Sequence, residues 1–310
     1  MFFSSMVLAA KQVVVLYILV AVGFIADKTG VFKESTARLS NNLLFYIITP
    51  SVIINSFLSM EFSPENASAF ATAFACALGT FLAGALLGLP FFNKTGDRAA
   101  IYKFAVTYGN MGYMALPLAN AVIGAEGVFY CSAGVVAFNI ICFTHGVWLM
   151  SEGDGSKKKF ELKRIILNPG VISVIIGLPL FAFGIKLPSV LSTPLDCLSA
   201  MNTPLAMIFF GTYIANTKFS EIVREKENYL VALLKLVVLP LAMSGIYRLV
   251  GMSGALLTAC VISAASPSAN NTVMFSAKYG RDTAVASKVV AFDSFVSILT
   301  LPVMIALSKL

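Results

Sequence analysis

Ten long apolar segments are the feature that most constrains what this chain folds into. Each holds about 20 or more mainly apolar residues, the length that an α-helix needs to cross a bilayer. The segments run roughly over 7–26, 39–60, 66–92, 99–121, 126–150, 168–186, 190–214, 229–250, 253–275 and 284–308. Only 12% of the residues are charged, against about 25% in soluble domains. The sequence therefore predicts an all-α integral membrane protein with ten transmembrane helices, and it argues against a soluble enzyme, a nucleic-acid binder and a disordered chain.

The distribution of Lys and Arg predicts how these helices are oriented. With both termini outside, 16 of the 22 basic residues fall in inner loops and four on the outer side, while Lys235 and Lys288 lie within spans. Cytoplasmic loops of multi-pass proteins carry an excess of Lys and Arg. We therefore expect a multi-pass protein of the cell (inner) membrane, surrounded by the lipid bilayer, with both termini on the outer side.

The longest polar interruption divides the chain into two halves. It predicts a first five-helix repeat (1–150), a cytoplasmic linker (151–164) and a second five-helix repeat (165–310). An odd number of helices per half makes the second half enter the membrane in the opposite sense, as in inverted repeats. Thr-Pro pairs in the middle of the second and seventh spans, at Thr49 and Thr203, support this division because they lie 154 residues apart.

The fourth and ninth spans are the most polar, and Gly and Pro interrupt both at corresponding places. The interruptions cover 109–117 and 263–271. Proline removes a backbone donor and clashes with the preceding turn, and unpaired backbone groups face protein or a water-filled cavity rather than lipid. Half-helix N-termini carry partial positive charge. Two such breaks predict a binding site for an anion between them; the alternative is a pair of kinked helices without a ligand.

Six stretches, in their order along the chain, resemble the auxin efflux carrier family, which includes plant auxin exporters and bacterial permeases thought to carry malate or malonate. The stretches are 44–50, 109–117, 168–170, 204–211, 266–271 and 286–302. The resemblance implies a crossed-helix carrier, as in sodium/proton antiporters and bile acid symporters. In that fold the broken fourth and ninth helices cross at the midplane beside the substrate, and the second and seventh belong to the substrate-facing scaffold.

The resemblance also implies which residues lie at the crossing. The candidate substrate-binding residues are Asn110, Pro117, Pro267, Ser268, Asn270 and Asn271. Asn110 precedes its proline by seven positions, whereas Asn270 follows its proline by three. The two asparagines are therefore not strict repeat mates, and the sequence leaves open which of them contacts the ligand.

Ionisable residues deep inside a span are costly and often functional. Asp293 lies about nine residues into the tenth span, which is near mid-membrane at about 1.5 Å per residue. The 154-residue spacing relates it to Asn139 in the fifth span. We predict an ion-coupling or proton-coupling site at Asn139 and Asp293; the alternative is a buried polar pair that holds helices together. Lys103, Lys235 and Lys288 are expected near inner span ends, with their ammonium groups reaching the surface.

The function expected from these features is secondary active transport of a small organic anion, a carboxylate, by alternating access and coupled to a proton or sodium gradient. An anion or solute channel is the alternative. An integral-membrane enzyme is less favoured because HExxH, GxSxG and phosphate-binding loop motifs are missing from the sequence. Five cysteines without a CxxC pair predict neither disulfides nor a metal site. No cofactor or nucleic-acid partner is expected, and the oligomeric state, a homodimer included, is left open.

Overall fold

The computed structural model describes residues 2–93, 95–151, 166–216 and 222–310, and helices occupy all ten predicted segments within that part of the chain. The helices are α1 (Phe2–Lys28), α2 (34–59), α3 (Pro64–Phe92), α4a (Ala99–Thr107), α4b (111–122), α5 (Ala125–Ser151), α6 (Pro169–Ala182), α7 (Ser189–Ala215), α8 (Lys226–Leu249), α9a (Gly254–Ala265), α9b (Asn271–Lys278) and α10 (Thr283–Ser308). The predicted linker falls almost entirely on residues that lie outside the described ranges.

An all-α membrane protein is confirmed at the level of its helices. Five described helices, α3, α5, α7, α8 and α10, are long and apolar enough to cross a bilayer by length and composition alone. Shorter apolar helices cover Leu44–Ser59, Pro169–Ala182 and Gly254–Ala265. The two inverted five-helix repeats and their membrane topology stay predictions.

Proline shapes several of these helices. Turns of π-helix occupy Leu44–Ile48, Met111–Ala115 and Leu234–Val238, and each ends two residues before a proline. A proline ring clashes with the carbonyl one turn earlier, and the wider π-turn accommodates it while the helix continues. The polar and aromatic residues in these turns are thereby displaced from ordinary α-helical positions.

Four helices pack together on one side of the molecule. α1 lies against α7, and α2 lies against α6 and α7. Gly23 faces the carbonyl of Ile208, and Gly211 faces the carbonyl of Val20, so closely that a Cβ at either glycine would overlap backbone atoms. Small residues let membrane helices approach in this way. We call α1, α2, α6 and α7 the four-helix layer.

The remaining helices form the rest of the core around the two broken helices. α3 packs on α4a and α5, α9a packs on α5, α8 and α10, and α9b packs on α10. Aromatic side chains fill the interior near the break, where Phe104 contacts Tyr108 and Phe275 at ring-centroid distances of 4.3 and 5.4 Å. We call α3, α4a, α4b, α5, α8, α9a, α9b and α10 the crossing layer.

Candidate functional site

The two broken helices cross as short extended strands. Gly109 and Ser268 form an isolated antiparallel bridge. The amide of Asn110 donates to the carbonyl of Pro267 at 2.7 Å, and the amide of Ala269 donates to the carbonyl of Tyr108 at 2.9 Å. Two backbone amides and two carbonyls that the breaks release from helical pairing therefore satisfy one another, as the membrane interior favours.

The crossing gives Asn110 and Asn270 the same structural position. Each is the residue before the second half of its helix, Asn110 before α4b and Asn270 before α9b. The bridge pairs positions 159 residues apart, so the 154-residue spacing of the Thr-Pro pairs does not hold here. An alignment of the two breaks on their prolines does not pair the two asparagines. An alignment on the bridged residues places Asn110 one residue after Gly109 and Asn270 two residues after Ser268, so they differ by one position.

Their side chains do different things. The amide oxygen of Asn110 accepts a hydrogen bond from the backbone amide of Tyr113 at 3.2 Å, which caps α4b, and the residue is buried. Asn270 is exposed, and its side chain makes no cap to α9b. Asn270 therefore offers its whole amide group at the crossing, whereas the amide oxygen of Asn110 is engaged in holding the half-helix.

A cavity of about 580 Å³ lies between the crossing and the four-helix layer. Its polar lining consists of Asn42, Thr49, Asn110, Asn139, Asn168, Asn270 and Asn271, and its aromatic lining of Phe45, Tyr46, Tyr113, Phe138 and Phe143. None of the described lining residues carries a formal charge. The volume is in the range of small-molecule sites, which are typically apolar with a few polar groups.

Three helix N-termini converge on this cavity. Two are the second halves α4b and α9b. The third is α6, where the side chain of Asn168 accepts from the amides of Gly170 and Val171 at 2.9 and 3.4 Å. Each N-terminus contributes partial positive charge from its aligned peptide dipoles. The Asn168-Pro169-Gly170 stretch is one of those that carry the family resemblance, which implied no role for it. An asparagine before proline at a helix start is the capping signal that indicates one.

The remaining predicted substrate-binding residues lie around the cavity rather than all in its wall. Asn271 lines it. Pro267 and Ser268 belong to the bridge, and the side chain of Ser268 is buried on the far side, against Asp293. Pro117 is not among the lining residues; it is buried in α4b, where its carbonyl accepts from the Thr203 hydroxyl at 3.4 Å.

Asn139 and Asp293 occupy different places. Asn139 lines the cavity, and its amide nitrogen donates to the carbonyl of Val135 at 2.7 Å. Asp293 is completely buried beneath the crossing, where one oxygen meets the Ser268 hydroxyl and the other, Oδ1, has no hydrogen-bond partner. With the 159-residue spacing of the bridge, Gly134 rather than Asn139 corresponds to Asp293.

The structure overturns the expectation for Lys235. Its side chain is 1% exposed, so it does not reach the membrane surface. The ammonium donates to the carbonyl of Ala264, at the end of α9a, at 3.4 Å. Lys103 and Lys288 do end in accessible surroundings, beside Asn93 and Glu225. Depth could have separated them, because Lys235 lies nine residues into α8.

Comparisons with known proteins find similarity to membrane transporters. A family model described as "Membrane transport protein" matches residues 8–305. The uncharacterized transporter MJ1031 of Methanocaldococcus jannaschii is 25% identical over 92% of this chain and 92% of its own length. The uncharacterized transporter YfdV of Escherichia coli K12 is 21% identical over 94% and 95%. A Rhizobium meliloti protein named "Putative malonate transporter" is 26% identical over 69% and 68%.

Proposed function

The chain belongs to the membrane transport protein family, which includes the auxin efflux carriers, and from this premise we propose that it is a secondary carrier of a small organic anion. It is a multi-pass membrane transporter and not an enzyme. The proposal adds the substrate class, a carboxylate, and the mode of movement, alternating access of the cavity to the two sides of the membrane.

One observation carries the substrate class: three helix N-termini meet at an uncharged cavity. Backbone N–H groups and aligned dipoles favour an anion, and in transporters with broken helices such ends face the anionic group of the substrate. The aromatic and aliphatic lining suits a carbon skeleton. The free side chain of Asn270, with Asn271 beside it, is placed to donate hydrogen bonds to a carboxylate.

Malonate is the first substrate to test, because a relative over two thirds of the chain bears that name. Its size suits a cavity of about 580 Å³. Malate and succinate share its two carboxylates, and indole-3-acetate tests whether a larger aromatic acid enters. In this proposal Asn110, Asn270 and Asn271 line the substrate path, Asn139 contacts it from α5, and Asp293 is the coupling group.

The cavity favours a carrier over a channel, because its two ends differ. Its rim includes Asn42, in the first half of α2, and Leu167, just before the start of α6, both exposed. Deeper in, Thr49 bonds to Asn202 and Thr203 bonds to the carbonyl of Pro117, both at 3.4 Å. In this proposal these contacts block the path at the other end. With the predicted topology the open end is cytoplasmic.

Transport in liposomes tests this function. The purified protein should take up radiolabelled malonate saturably under an imposed proton or sodium gradient, and unlabelled malonate inside should accelerate uptake by counterflow. Linear, non-saturating flux with an ohmic current would instead assign a channel. Failure to move any of the four acids would reject the carboxylate carrier.

A further inference from the structure

Two buried side chains of opposite charge flank the crossing. Among the residues that the structure describes, Lys235 and Asp293 are the only charged side chains that are buried, at 1% and 0% exposure. Burying a charge inside a membrane is costly, so such residues are rare and usually mark ion or substrate pathways. Neither residue lines the cavity, and the proposed substrate contacts do not use Lys235.

Each of these side chains touches one member of the bridged pair. A methyl group placed on Gly109 would lie 3.1 Å from the ammonium of Lys235. Asp293 contacts the hydroxyl of Ser268, the residue bridged to Gly109. Gly109 also lines the cavity. The ammonium of Lys235 therefore lies directly behind the cavity wall, separated from a bound anion by the backbone of a residue without a side chain.

The hydrogen bonds around Ser268 fit a protonated Asp293. The single hydroxyl hydrogen of Ser268 has two acceptors within reach, the carbonyl of Ala105 at 2.9 Å and Oδ2 of Asp293. Both contacts are satisfied when a carboxylic acid donates to the hydroxyl and the hydroxyl donates to Ala105. The unpartnered, buried Oδ1 also suits a neutral acid, because an ionised carboxylate there would leave charge without hydrogen bonds.

Within the described ranges, the surroundings supply no other charge for either residue. Asp293 faces the hydroxyl of Ser268 from the crossing and Lys235 from α8. The groups that line the small space beside the side chain of Lys235 and bear polar hydrogens are Thr80, Tyr130, Tyr247, Cys260 and Ser263. None of these is ordinarily ionised at neutral pH. When Asp293 is neutral, the charge of Lys235 is therefore uncompensated among the described residues.

We propose that Lys235 and Asp293 couple the binding of a proton to the binding of the anion, which rests on the carrier function proposed above. With a proton on Asp293, the unpaired ammonium of Lys235 attracts a carboxylate across Gly109. When Asp293 releases the proton, its carboxylate neutralises Lys235 and the anion leaves. One proton binds and leaves with each anion, one of whose carboxylates lies across Gly109 from Lys235, and no covalent bond changes.

This coupling is reciprocal. A proton that strengthens anion binding is itself held more tightly once the anion is bound. The effect depends on the low dielectric of the interior, where charges interact far more strongly than in water. A carrier built in this way needs no bound sodium, because a lysine already provides the cation at the crossing.

Two nearly isosteric variants test the roles of the two charges. Binding of malonate, malate and succinate to the purified protein is measured by calorimetry at mildly acidic and mildly alkaline pH, in buffers of different ionisation enthalpy so that protons are counted. The wild type should bind more tightly at the lower pH and take up one proton with each anion. Asp293→Asn should bind equally at both pH values and take up none. Lys235→Met should bind at least about tenfold more weakly.

Lys288→Met is the matched control, because this lysine is partly exposed and pairs with Glu225 at 3.5 Å, away from the crossing. It should bind as the wild type does. Wild-type affinity and pH dependence in Lys235→Met would overturn the coupling, and so would proton uptake that persists in Asp293→Asn.

An infrared measurement without substrate separates this inference from the carrier function. The wild type should show the carbonyl band of a protonated carboxylic acid that Asp293→Asn lacks. If that band is present but the wild type binds none of the three anions, the carrier function fails and the coupling with it, while the proton site stands. If the anions bind but the band is absent, the proton site is overturned and the carrier function stands.

Discussion

At the residue scale, the crossing distinguishes two asparagines that sequence analysis could not rank. The amide oxygen of Asn110 accepts a hydrogen bond from the backbone amide of Tyr113. Asn270 has no such cap and is exposed. Position alone would give them the same role. This difference in capping predicts different consequences for the same substitution.

Replacing Asn270 by Ala should weaken substrate binding without weakening the fold. A hydrogen bond to a charged group contributes about 1.5–3 kcal/mol, so the KM for malonate uptake should rise by about tenfold or more. Thermal unfolding of the detergent-solubilised protein, followed by intrinsic fluorescence, should be unchanged. Wild-type KM in this variant would remove Asn270 from the substrate site.

Replacing Asn110 by Ala should instead destabilise the protein, because losing an N-cap typically costs about 1 kcal/mol. Asn110→Ser is the matched variant, since a serine hydroxyl caps a helix as well. We expect the melting temperature to fall in Asn110→Ala and to recover in Asn110→Ser. Equal melting temperatures in all three proteins would contradict the capping role.

At the element scale, close helix contacts build the four-helix layer. Gly23 and Gly211 are matched across the α1–α7 contact, and each faces backbone of the other helix. Such contacts are rigid, because a backbone carbonyl cannot rotate away as a side chain does. They give α7, and with it the Thr203 contact to α4b, a fixed support against which the crossing layer can be placed.

Gly211→Ala should separate α1 from α7 and lower stability by about 1–3 kcal/mol, the usual cost of overpacking a core. Gly245→Ala is the control, because a Cβ at this position in α8 meets nothing within 4 Å. The midpoint of thermal unfolding should be lower in Gly211→Ala than in the wild type and unchanged in Gly245→Ala. A wild-type midpoint in Gly211→Ala would show that the two helices pack more loosely.

At the scale of the whole molecule, the two layers meet differently at the two ends of the cavity. One end is open beside α2 and α6. At the other end a separate polar pocket of about 230 Å³ lies between the layers, lined by Asn55, Asp196 and Ser199 from the four-helix layer and by Asn120 and Val128 from the crossing layer. Alternating access requires this second pocket to widen while the first closes.

Cross-linking across that second pocket should arrest a carrier. In a Cys197→Ser background, which removes the exposed cysteine, a short bifunctional reagent joins Asn120→Cys to Ser199→Cys and thus ties the two layers. Malonate uptake should stop and should return when the linker is cleaved. A protein that conducts through a fixed pore would keep transporting.

The matched control joins two positions within the four-helix layer. The side chains of Asn55 and Asp196 lie 2.9 Å apart, so Asn55→Cys with Asp196→Cys cross-links without tying the layers together. We expect transport to continue in this variant. Arrest in both variants would mean that the four-helix layer itself must rearrange.

Much of the molecule was predictable from the sequence for a physical reason. A bilayer admits only segments that satisfy their own backbone, so the apolar runs predicted the helices, and Gly109, Pro267 and their neighbours predicted the breaks. The family expectation was confirmed as well. Whether Asn139 and Pro117 line the cavity was not predictable from the sequence, because a small rotation of a helix about its axis decides whether a side chain faces the cavity.

The sequence by itself determined which segments are helical, where two of them break and to which family the chain belongs. Only the tertiary structure decided which side chains meet at the break. A pairing 159 residues apart brings Gly109 to Ser268, and with them Lys235 and Asp293 from two further helices. Local sequence does not indicate these contacts, because the free energy of a buried charge depends on which groups from other segments surround it.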